Sequence, residues 1–409
     1  MKNLILVLIS FLLVQCEKSF EPISNSTTRE FTALEKQVAS SSDRFGFKLM
    51  KAVNSAQSDS NVFISPLSVS MALGMTLNGA NNETYEAMQS TLELDGLTQQ
   101  QINETYKSLI ELLTQIDPKV IFNIANSIWY KQGWNFEQQF IDVNKKYFNA
   151  LVQGLDFNDP ASVDIINDWV YTNTNGKIDK ILNSIPAHIV MYLINAIYYK
   201  GTWQYEFDKN ETIDDLFDAP NGILIPCKLM VQTNDFSYFR NSDFEAIDLP
   251  YGDGDFSMTV LLPAPGKNVD SLISNLSEEN WDLLLNSFSI KEGTLFLPKF
   301  ELEYKITLNQ VLKSLGMEIA FNAGQADFSR MYTGPFDLFI DEVKHKTFVK
   351  VDEEGTEATA VTSVSIGFTS TGGSGFTMRV DHPFVFVIRE KNSGSILFIG
   401  KILEPIFES

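Results

Sequence analysis

A long, nearly uncharged segment shortly before the C-terminus constrains the fold of this chain most. Residues 353–378 read EEGTEATAVTSVSIGFTSTGGSGFTM, and between Gly355 and Met378 only Glu357 is charged. A segment of this length without secondary structure of its own is uncommon in a compact domain and is usually functional or disordered. Disordered segments are usually rich in charge and proline, whereas this one has no proline and many β-branched residues. It has the composition of a strand at the position of a loop.

Within this segment two kinds of side chain alternate, as they would on the two faces of a β-strand. Even-numbered residues from Thr356 to Phe368 are small at first and then increasingly apolar. Odd-numbered residues from Glu357 to Gly367 are mostly polar. A strand-prone segment with one apolar face is an aggregation hazard while it is exposed. One interpretation is that it stays outside as a loop until it enters a β-sheet.

The rest of the chain has the composition of a large globular protein. It has 409 residues, of which 44% are hydrophobic, so a sizeable core is expected. No proline- or serine-rich linker, charge block or repeat divides it, and we expect a single domain over residues 35–409. The net charge of −21 and the lack of any basic run argue against nucleic acid as a partner.

The N-terminus predicts export. Residues 4–14 form an apolar run after a single lysine, which is too short for a spanning helix and typical of a leader over residues 1–16. Cys16 follows LLVQ, as in a bacterial lipoprotein cleavage box, although Gln15 departs from the small residue usual there. Lipidation of Cys16 and attachment to the cell surface or outer membrane are therefore expected. Ordinary cleavage and full secretion is the alternative.

Residues 17–34 would then form a flexible tether between the leader and the domain. The only other cysteine, Cys227, leaves the mature chain without an intramolecular disulfide and is expected to be a small buried residue.

Apolar periodicity predicts a mixture of helices and strands, and hence an α+β fold. Helices are expected at 32–54, 66–80, 81–92, 99–116, 271–288 and 307–317. The tract 164–182 predicts a helix, a turn at Asn175–Gly176 and a second short helix. Strands are expected at 119–131, 188–203, 245–251, 256–264, 294–300 and 341–355, followed by a terminal hairpin that turns at Asn392–Gly394.

No pattern typical of an enzyme, metal or cofactor site is present. The three histidines, His188, His345 and His382, lie far apart, and none has the spacing of a metal ligand. The chain also lacks a nucleophile elbow, a phosphate-binding loop and a dinucleotide fingerprint. We therefore expect a protein that is not an enzyme and that needs no metal or cofactor.

Seven motifs in order resemble the serpin family, from about residue 35 to the end. They read NVFISPLSVSMALGMTLNGANNET, NAIYYKGTW, LFLPKF, LGM, DEEGTEATA, HPFVFVIRE and FIGKILEP. The resemblance implies three β-sheets, about eight to nine helices and an exposed reactive loop. The tract NKKYFNALVQGLDF and the lipoprotein-like start suggest a bacterial, Bacteroidetes-like member.

The resemblance also implies a function: irreversible, suicide-substrate inhibition of serine endopeptidases by a monomer. A protease cleaves the exposed loop and is held as an acyl-enzyme while the cut loop inserts as a new central strand. A non-inhibitory carrier on the same fold is the alternative. The small residues Thr356, Ala358 and Ala360 on the face to be buried favour insertion. The loop hinge is expected at Glu353, Glu354, Gly355, Thr356, Glu357, Ala358, Thr359, Ala360 and Val361.

Counting from Glu353 as in inhibitory members places the reactive bond at Thr369–Ser370, with Phe368–Thr369 as the alternative. Thr369 suits an elastase-like or subtilisin-like protease and Phe368 a chymotrypsin-like one, and some cysteine proteases are further candidates. Residues 99–116 contain one lysine and no arginine, so activation by heparin-like polyanions is not expected.

The resemblance assigns roles beneath and beside the central strands as well. A buried hydrogen-bond network is expected from Ser65, Ser68, Asn195 and His345, and Trp203 is expected to pack where the loop first enters the sheet. His188 and His382 are assigned to ordinary structure.

Overall fold

The computed structural model describes residues 29–356 and 375–407. Nine α-helices lie in these ranges: α1 (Ala33–Ala56), α2 (Pro66–Leu77), α3 (Asn82–Thr91), α4 (Gln99–Leu113), α5 (Gln138–Phe148), α6 (Ala161–Asn173), α7 (Val269–Ser274), α8 (Glu278–Ser287) and α9 (Asn309–Leu312). Among the described residues, none of these helices is both long and apolar enough to cross a membrane.

Fifteen strands lie in the same ranges: β1 (Val62–Ile64), β2 (Val120–Lys131), β3 (Leu151–Leu155), β4 (Met191–Thr202), β5 (Ile213–Ala219), β6 (Ile223–Arg240), β7 (Phe244–Tyr251), β8 (Phe256–Pro263), β9 (Ser289–Pro298), β10 (Phe300–Thr307), β11 (Lys344–Val351), β12 (Gly355–Thr356), β13 (Phe376–Arg379), β14 (Phe384–Glu390) and β15 (Ile396–Ile402).

The described strands form two hydrogen-bonded sheets rather than three separate ones. The six-stranded sheet has the order β10-β11-β12-β4-β2-β3. The nine-stranded sheet has the order β1-β15-β14-β8-β7-β6-β9-β13, with β5 paired to β6. The strand β6 is 18 residues long and pairs first with β5, then with β9 and finally with β7. Because one continuous strand serves both groups, two of the three predicted sheets are joined.

Local sequence signals set the starts of α1 and α2. Thr32 begins α1 with a capping box, in which its side chain accepts from the Glu35 backbone and Glu35 accepts from the Thr32 backbone. Ser65 begins α2 by accepting from the Ser68 backbone, and Pro66 occupies the first helical position. The helix expected at 66–80 thus begins where predicted, directly after the short strand β1.

The main core lies between the nine-stranded sheet, the helices α1 and α2 and the inner face of the six-stranded sheet. Every residue of β14 and β15 is buried, which explains the apolar runs FVFVI and ILFIG within them. A smaller core packs α6 against the other face of the six-stranded sheet around Trp129. Cys227 is buried, as predicted, and is a free cysteine.

Three local predictions are corrected. No second helix follows the turn at Asn175–Gly176, because the Asn167 side chain bonds the backbone of Ile181 and Leu182 and holds that segment in a non-helical path. The single helix expected at 271–288 is two helices, α7 and α8. The helix expected at 307–317 ends early: regular α-helix stops at Leu312, and the wider turn that follows reaches Gly316, whose φ is +116°.

Candidate functional site at a short hairpin in the six-stranded sheet

The nearly uncharged segment over residues 353–378 begins as a tight hairpin. After β11 the chain turns at Asp352–Glu354 and continues as β12, with the Asp352 amide donating to the Gly355 carbonyl at 3.0 Å. The Glu354 amide donates to the Asp352 carboxylate at 3.1 Å and so stabilises the turn. A Cβ atom on Gly355 would lie 2.1 Å from the Gly201 carbonyl oxygen, so only glycine fits here.

The strand β12 is paired on both of its edges. Thr356 lies opposite Val351 of β11 on one side and opposite Gly201 of β4 on the other. Within residues 29–356 and 375–407, β4 and β11 do not pair directly with each other. A chain that continued in the direction of β12 would therefore run between these two strands.

The other end of the segment is fixed on the other sheet. The described chain resumes at Gly375 and forms β13, which pairs in parallel with β9 at the edge of the nine-stranded sheet. The Phe376 ring stacks on Tyr238 with 3.7 Å between ring centroids. The segment thus leaves one sheet at Thr356 and is held on the other at Phe376.

Two buried carboxylates at the hairpin tip are each paired with a lysine. The Glu353 carboxylate accepts from Lys299 Nζ and from the Thr212 hydroxyl, both at 2.8 Å. Glu354 forms an ion pair with Lys209. Burial opposes ionisation of Glu353, but the hydrogen bonds from Lys299 and Thr212 outweigh it, so the pKa of Glu353 lies below its usual value. The tip is therefore held by two cations from outside the hairpin.

An aromatic cluster packs against the same hairpin. Trp203 is 4% exposed, and its indole Nε1 donates to the Asp352 carbonyl at 2.9 Å. Its ring stacks on Tyr251 with 4.4 Å between centroids. The Tyr251 hydroxyl is hydrogen-bonded to the Thr356 hydroxyl. The amides of Trp203 and Phe207 donate to the carbonyls of Glu354 and Glu353 at 2.9 and 3.0 Å.

A second polar group lies under the six-stranded sheet. The Ser65 amide donates to His345 Nε2 at 3.0 Å, and the Ser68 amide donates to Ser65 Oγ at 3.2 Å. Burial lowers the pKa of His345 to about 4, so its imidazole is neutral near pH 7 and accepts at Nε2. Asn195 donates from Nδ2 to Asn126 Oδ1 at 2.7 Å rather than to these residues.

Asn195 nevertheless belongs to the same region. Together with Ser68 and His345 it lines a cavity of about 410 Å³ between the N-terminal half of β4, α2 and the segment before β11. The structure therefore brings all four predicted residues to one place. It hydrogen-bonds three of them to each other and the fourth to Asn126.

The structure describes the predicted hinge residues from Glu353 to Thr356 and places Trp203 in contact with their hairpin. The remaining predicted residues lie outside the described ranges: Cys16, Glu357, Ala358, Thr359, Ala360, Val361, Phe368, Thr369 and Ser370. Sequence reasoning missed Lys209, Lys299 and Tyr251. Lys299 stands inside the quoted motif LFLPKF, which was the one available signal for its importance.

The two histidines assigned to ordinary structure have local partners. His382 Nδ1 lies 2.9 Å from the Asp381 carboxylate, and its Nε2 lies 3.0 Å from the Pro263 carbonyl oxygen. His188 Nε2 lies 3.3 Å from Asp341. In the part of the chain that the structure describes, no group of three or more His, Cys, Asp or Glu side chains is placed to hold a metal ion.

Solved structures of known proteins share this architecture. A thermophilic serpin, tengpin, in its native state has a TM-score of 0.83 at 35% identity and covers 92% of this chain and 96% of its own. Human thyroxine-binding globulin in complex with thyroxine also has a TM-score of 0.83, at 24% identity, and covers 92% of this chain and 100% of its own. At 24% identity that second likeness concerns the fold alone.

Sequence comparison agrees. The leukocyte elastase inhibitor of Homo sapiens is 33% identical over 384 residues, which is 90% of this chain and 100% of that protein. The sequence profile of the family described as "Serpin (serine protease inhibitor)" matches residues 40–405. The predicted α+β serpin fold is thereby confirmed. With its hairpin, its paired strands and this match over nearly the whole domain, the chain belongs to the serpin family.

Proposed function

We propose that this protein is an irreversible, suicide-substrate inhibitor of serine endopeptidases. The observation that carries the proposal is β12: Gly355 and Thr356 pair with β4, and Thr356 pairs with β11 as well. The far end of the segment is held at β13 on the other sheet. A cut between these two ends would free the β12 side to extend its pairing into the sheet.

In the proposed mechanism the protease serine attacks the carbonyl carbon of Thr369, or of Phe368 in the alternative register. The bond to the next residue breaks, its nitrogen takes a proton, and the inhibitor remains esterified to the protease. Residues 356–369 then enter the sheet as a strand. At strand rise these 14 residues span about 45 Å, enough to carry the protease from one end of the sheet towards the other.

The energy of insertion is large enough to damage a protease. A central strand forms about two backbone hydrogen bonds per residue, each worth about 0.5–1.5 kcal/mol net. For 14 residues, insertion would thus release on the order of 15–40 kcal/mol before entropy and strain are subtracted. A typical protein is stable by about 5–15 kcal/mol. The trapped protease is therefore expected to be distorted before it can hydrolyse the ester.

Likeness to the human leukocyte elastase inhibitor supports elastase-like enzymes as the first target class. Subtilisin-like enzymes suit Thr369 equally, and chymotrypsin-like enzymes are expected if the bond is Phe368–Thr369. Some cysteine proteases are further candidates, because they also form acyl-enzymes. The protein would act as a monomer and without a nucleic-acid or heparin-like partner.

We also propose that the protein is exported, with a bacterial and Bacteroidetes-like source. The leader over residues 1–16 and Cys16 support attachment through a lipid, with secretion as the alternative. Metabolic labelling with a fatty-acid analogue tests this. Label on the wild type that is absent from Cys16→Ser supports a lipoprotein, whereas an unlabelled wild type in the medium supports secretion.

The function is tested by mixing the chain from about residue 30 with pancreatic elastase, subtilisin, chymotrypsin and trypsin. Trypsin is the internal control, because the segment from Gly355 to Met378 has no lysine or arginine. We expect a denaturant-stable band at the summed mass with at least one of the first three enzymes. Mass spectrometry of the released peptide should show Ser370 as its first residue, or Thr369 in the alternative register.

Cleavage of the segment without any stable band, and with full protease activity remaining, would overturn the proposal. The carrier function would then take its place on the same fold.

A further inference from the structure

The C-terminal tail is held against the six-stranded sheet by its backbone. The Asn61 side chain donates to the Glu404 carbonyl at 2.8 Å and accepts from the Leu403 amide at 2.7 Å. Two residues further on, the Ile406 carbonyl accepts from the Glu301 amide at 2.6 Å. These bonds fix the course of the tail up to the start of β10.

The tail ends, in the described ranges, with an aromatic ring between two lysines. The Lys299 ammonium lies 4.4 Å and the Lys350 ammonium 4.8 Å from the centroid of the Phe407 ring. Both distances are within the range of a cation–π interaction. The Lys299 side chain is only 15% exposed, so its charge is partly removed from water, where such contacts are stronger.

Lys299 is also the cation that holds the hairpin tip. Its ammonium donates to Glu353 at 2.8 Å, and the Glu353 side chain is 5% exposed. A lysine has a flexible four-carbon stem, so its ammonium has no fixed direction of its own. The Phe407 ring and Glu353 together determine where the Lys299 ammonium lies. Phe407 does not need to touch the hairpin to influence it.

We infer that Phe407 is a positioning residue for loop insertion. By holding Lys299 against Glu353, it keeps the hairpin tip in the geometry from which the freed segment continues β12 into the sheet. This inference rests on the proposed inhibitory function. It adds a role for the C-terminal tail, which follows the loop hinge by about 50 residues in the sequence but contacts Lys299 beside the hairpin tip.

The role has a kinetic consequence. After cleavage, insertion of the segment competes with hydrolysis of the acyl-enzyme. If the hairpin tip is loosened, the first new strand pairs form more slowly and a larger share of molecules is hydrolysed as substrate. The stoichiometry of inhibition, which is the number of inhibitor molecules consumed for each protease molecule inactivated, reports this competition directly.

The test compares Phe407→Ala and Phe407→Leu with Phe407→Tyr, at a temperature well below unfolding. Leucine keeps apolar bulk without a ring, so it separates loss of the cation–π contact from loss of packing. Ile406→Ala is the matched control, because that side chain is 56% exposed in the same tail. We expect the stoichiometry to rise about two- to tenfold in the alanine and leucine variants. It should stay at the wild-type value in the tyrosine and Ile406 variants.

A second measurement tests whether Phe407 acts through Lys299. In a Lys299→Met background, Phe407→Ala should cause no further rise, because coupled residues are not additive. The inference would be overturned if Phe407→Ala raised the stoichiometry in the Lys299→Met background as much as it does alone. It would also be overturned if Phe407→Ala and Phe407→Leu both kept the wild-type stoichiometry. Failure of the wild type to form any stable complex would instead overturn the proposed function.

Discussion

His345 is a buried imidazole that serves as an acceptor. Its Nε2 receives the Ser65 amide at 3.0 Å, in the turn where β1 passes into α2. A proton on Nε2 would place two donors against each other and a charge in an apolar surrounding. The neutral ring is therefore the form that holds α2 to β11.

This arrangement predicts a loss of stability in mild acid. Burial lowers the pKa of His345 in the folded protein to about 4, below the usual value of 6.5 that applies after unfolding. The unfolded chain therefore binds the proton first, so the stabilising effect is complete above about pH 6.5 and is lost as pH falls towards 4. Between pH 7 and 5 this group alone should remove about 2 kcal/mol from the free energy of unfolding.

Urea unfolding at both pH values, on the wild type and on His345→Gln, checks this prediction. Glutamine offers a neutral acceptor that does not titrate, so the variant should lose less stability than the wild type on acidification. An equal loss in both proteins would assign the acid sensitivity to other groups.

At the level of single residues, the sequence could predict some of the site and not the rest. Ser65 and Trp203 stand in motifs that resemble the serpin family, and His345 lies eight residues before Glu353 of the DEEGTEATA motif, so the roles of all three could be inferred from the sequence. Lys299 and Phe407 act through partners that lie far away along the chain: Lys299 is 54 residues from Glu353. Such a contact has no local spacing or period, and only the folded chain brings the two groups together.

At the level of elements, β12 is the strand from which the proposed insertion starts, and its side chains have very little space. Thr356 is 3% exposed, is paired on both edges and is hydrogen-bonded to Tyr251. We expect Thr356→Arg to convert the protein from an inhibitor into a substrate. An unpaired charge at this buried position would disfavour β12 between β11 and β4, and so remove the strand from which insertion continues. The yield of stable complex should fall about tenfold or more, as measured on denaturing gels with titrated protease.

The control for this prediction is the same substitution at the other end of the segment. Thr377 lies on β13 and is exposed, so Thr377→Arg should leave the yield of complex near that of the wild type. If Thr356→Arg inhibits as well as Thr377→Arg does, then insertion at β12 is not required for inhibition.

The elements themselves were largely predictable from apolar periodicity. The terminal hairpin, the strand over residues 119–131 and the first two helices lie where the pattern indicates. The prediction failed where one side chain overrides local preference, as Asn167 does over residues 177–182. It also could not show that one strand, β6, joins two sheets, because pairing partners are not encoded in the period of a single strand.

For the whole molecule, the proposed mechanism predicts that cutting the segment makes the protein more stable. Cleavage by a metalloprotease is the suitable treatment, because such enzymes form no acyl-enzyme and leave the product free. Insertion adds a strand paired on both edges, so the thermal unfolding midpoint should rise by more than about 15 °C relative to the intact protein. Calorimetry of both forms measures the shift.

For comparison, Thr356→Arg is cleaved with the same metalloprotease and its unfolding midpoint is measured before and after cleavage. This variant should be cut equally fast but gain little in its unfolding midpoint. A wild type whose midpoint is unchanged by cleavage would show that the segment does not insert.

The position of the last two strands has a consequence for the lifetime of each molecule. In the proposed mechanism the cut falls before β13, while β14 and β15 lie inside the nine-stranded sheet with every residue buried. The product therefore remains one particle made of two polypeptides, and its smaller piece cannot leave while the particle is folded. Once unfolded, those pieces would have to find each other by diffusion. A cleaved molecule can therefore not refold to the uncleaved form as a single chain does. Each molecule can act on one protease only.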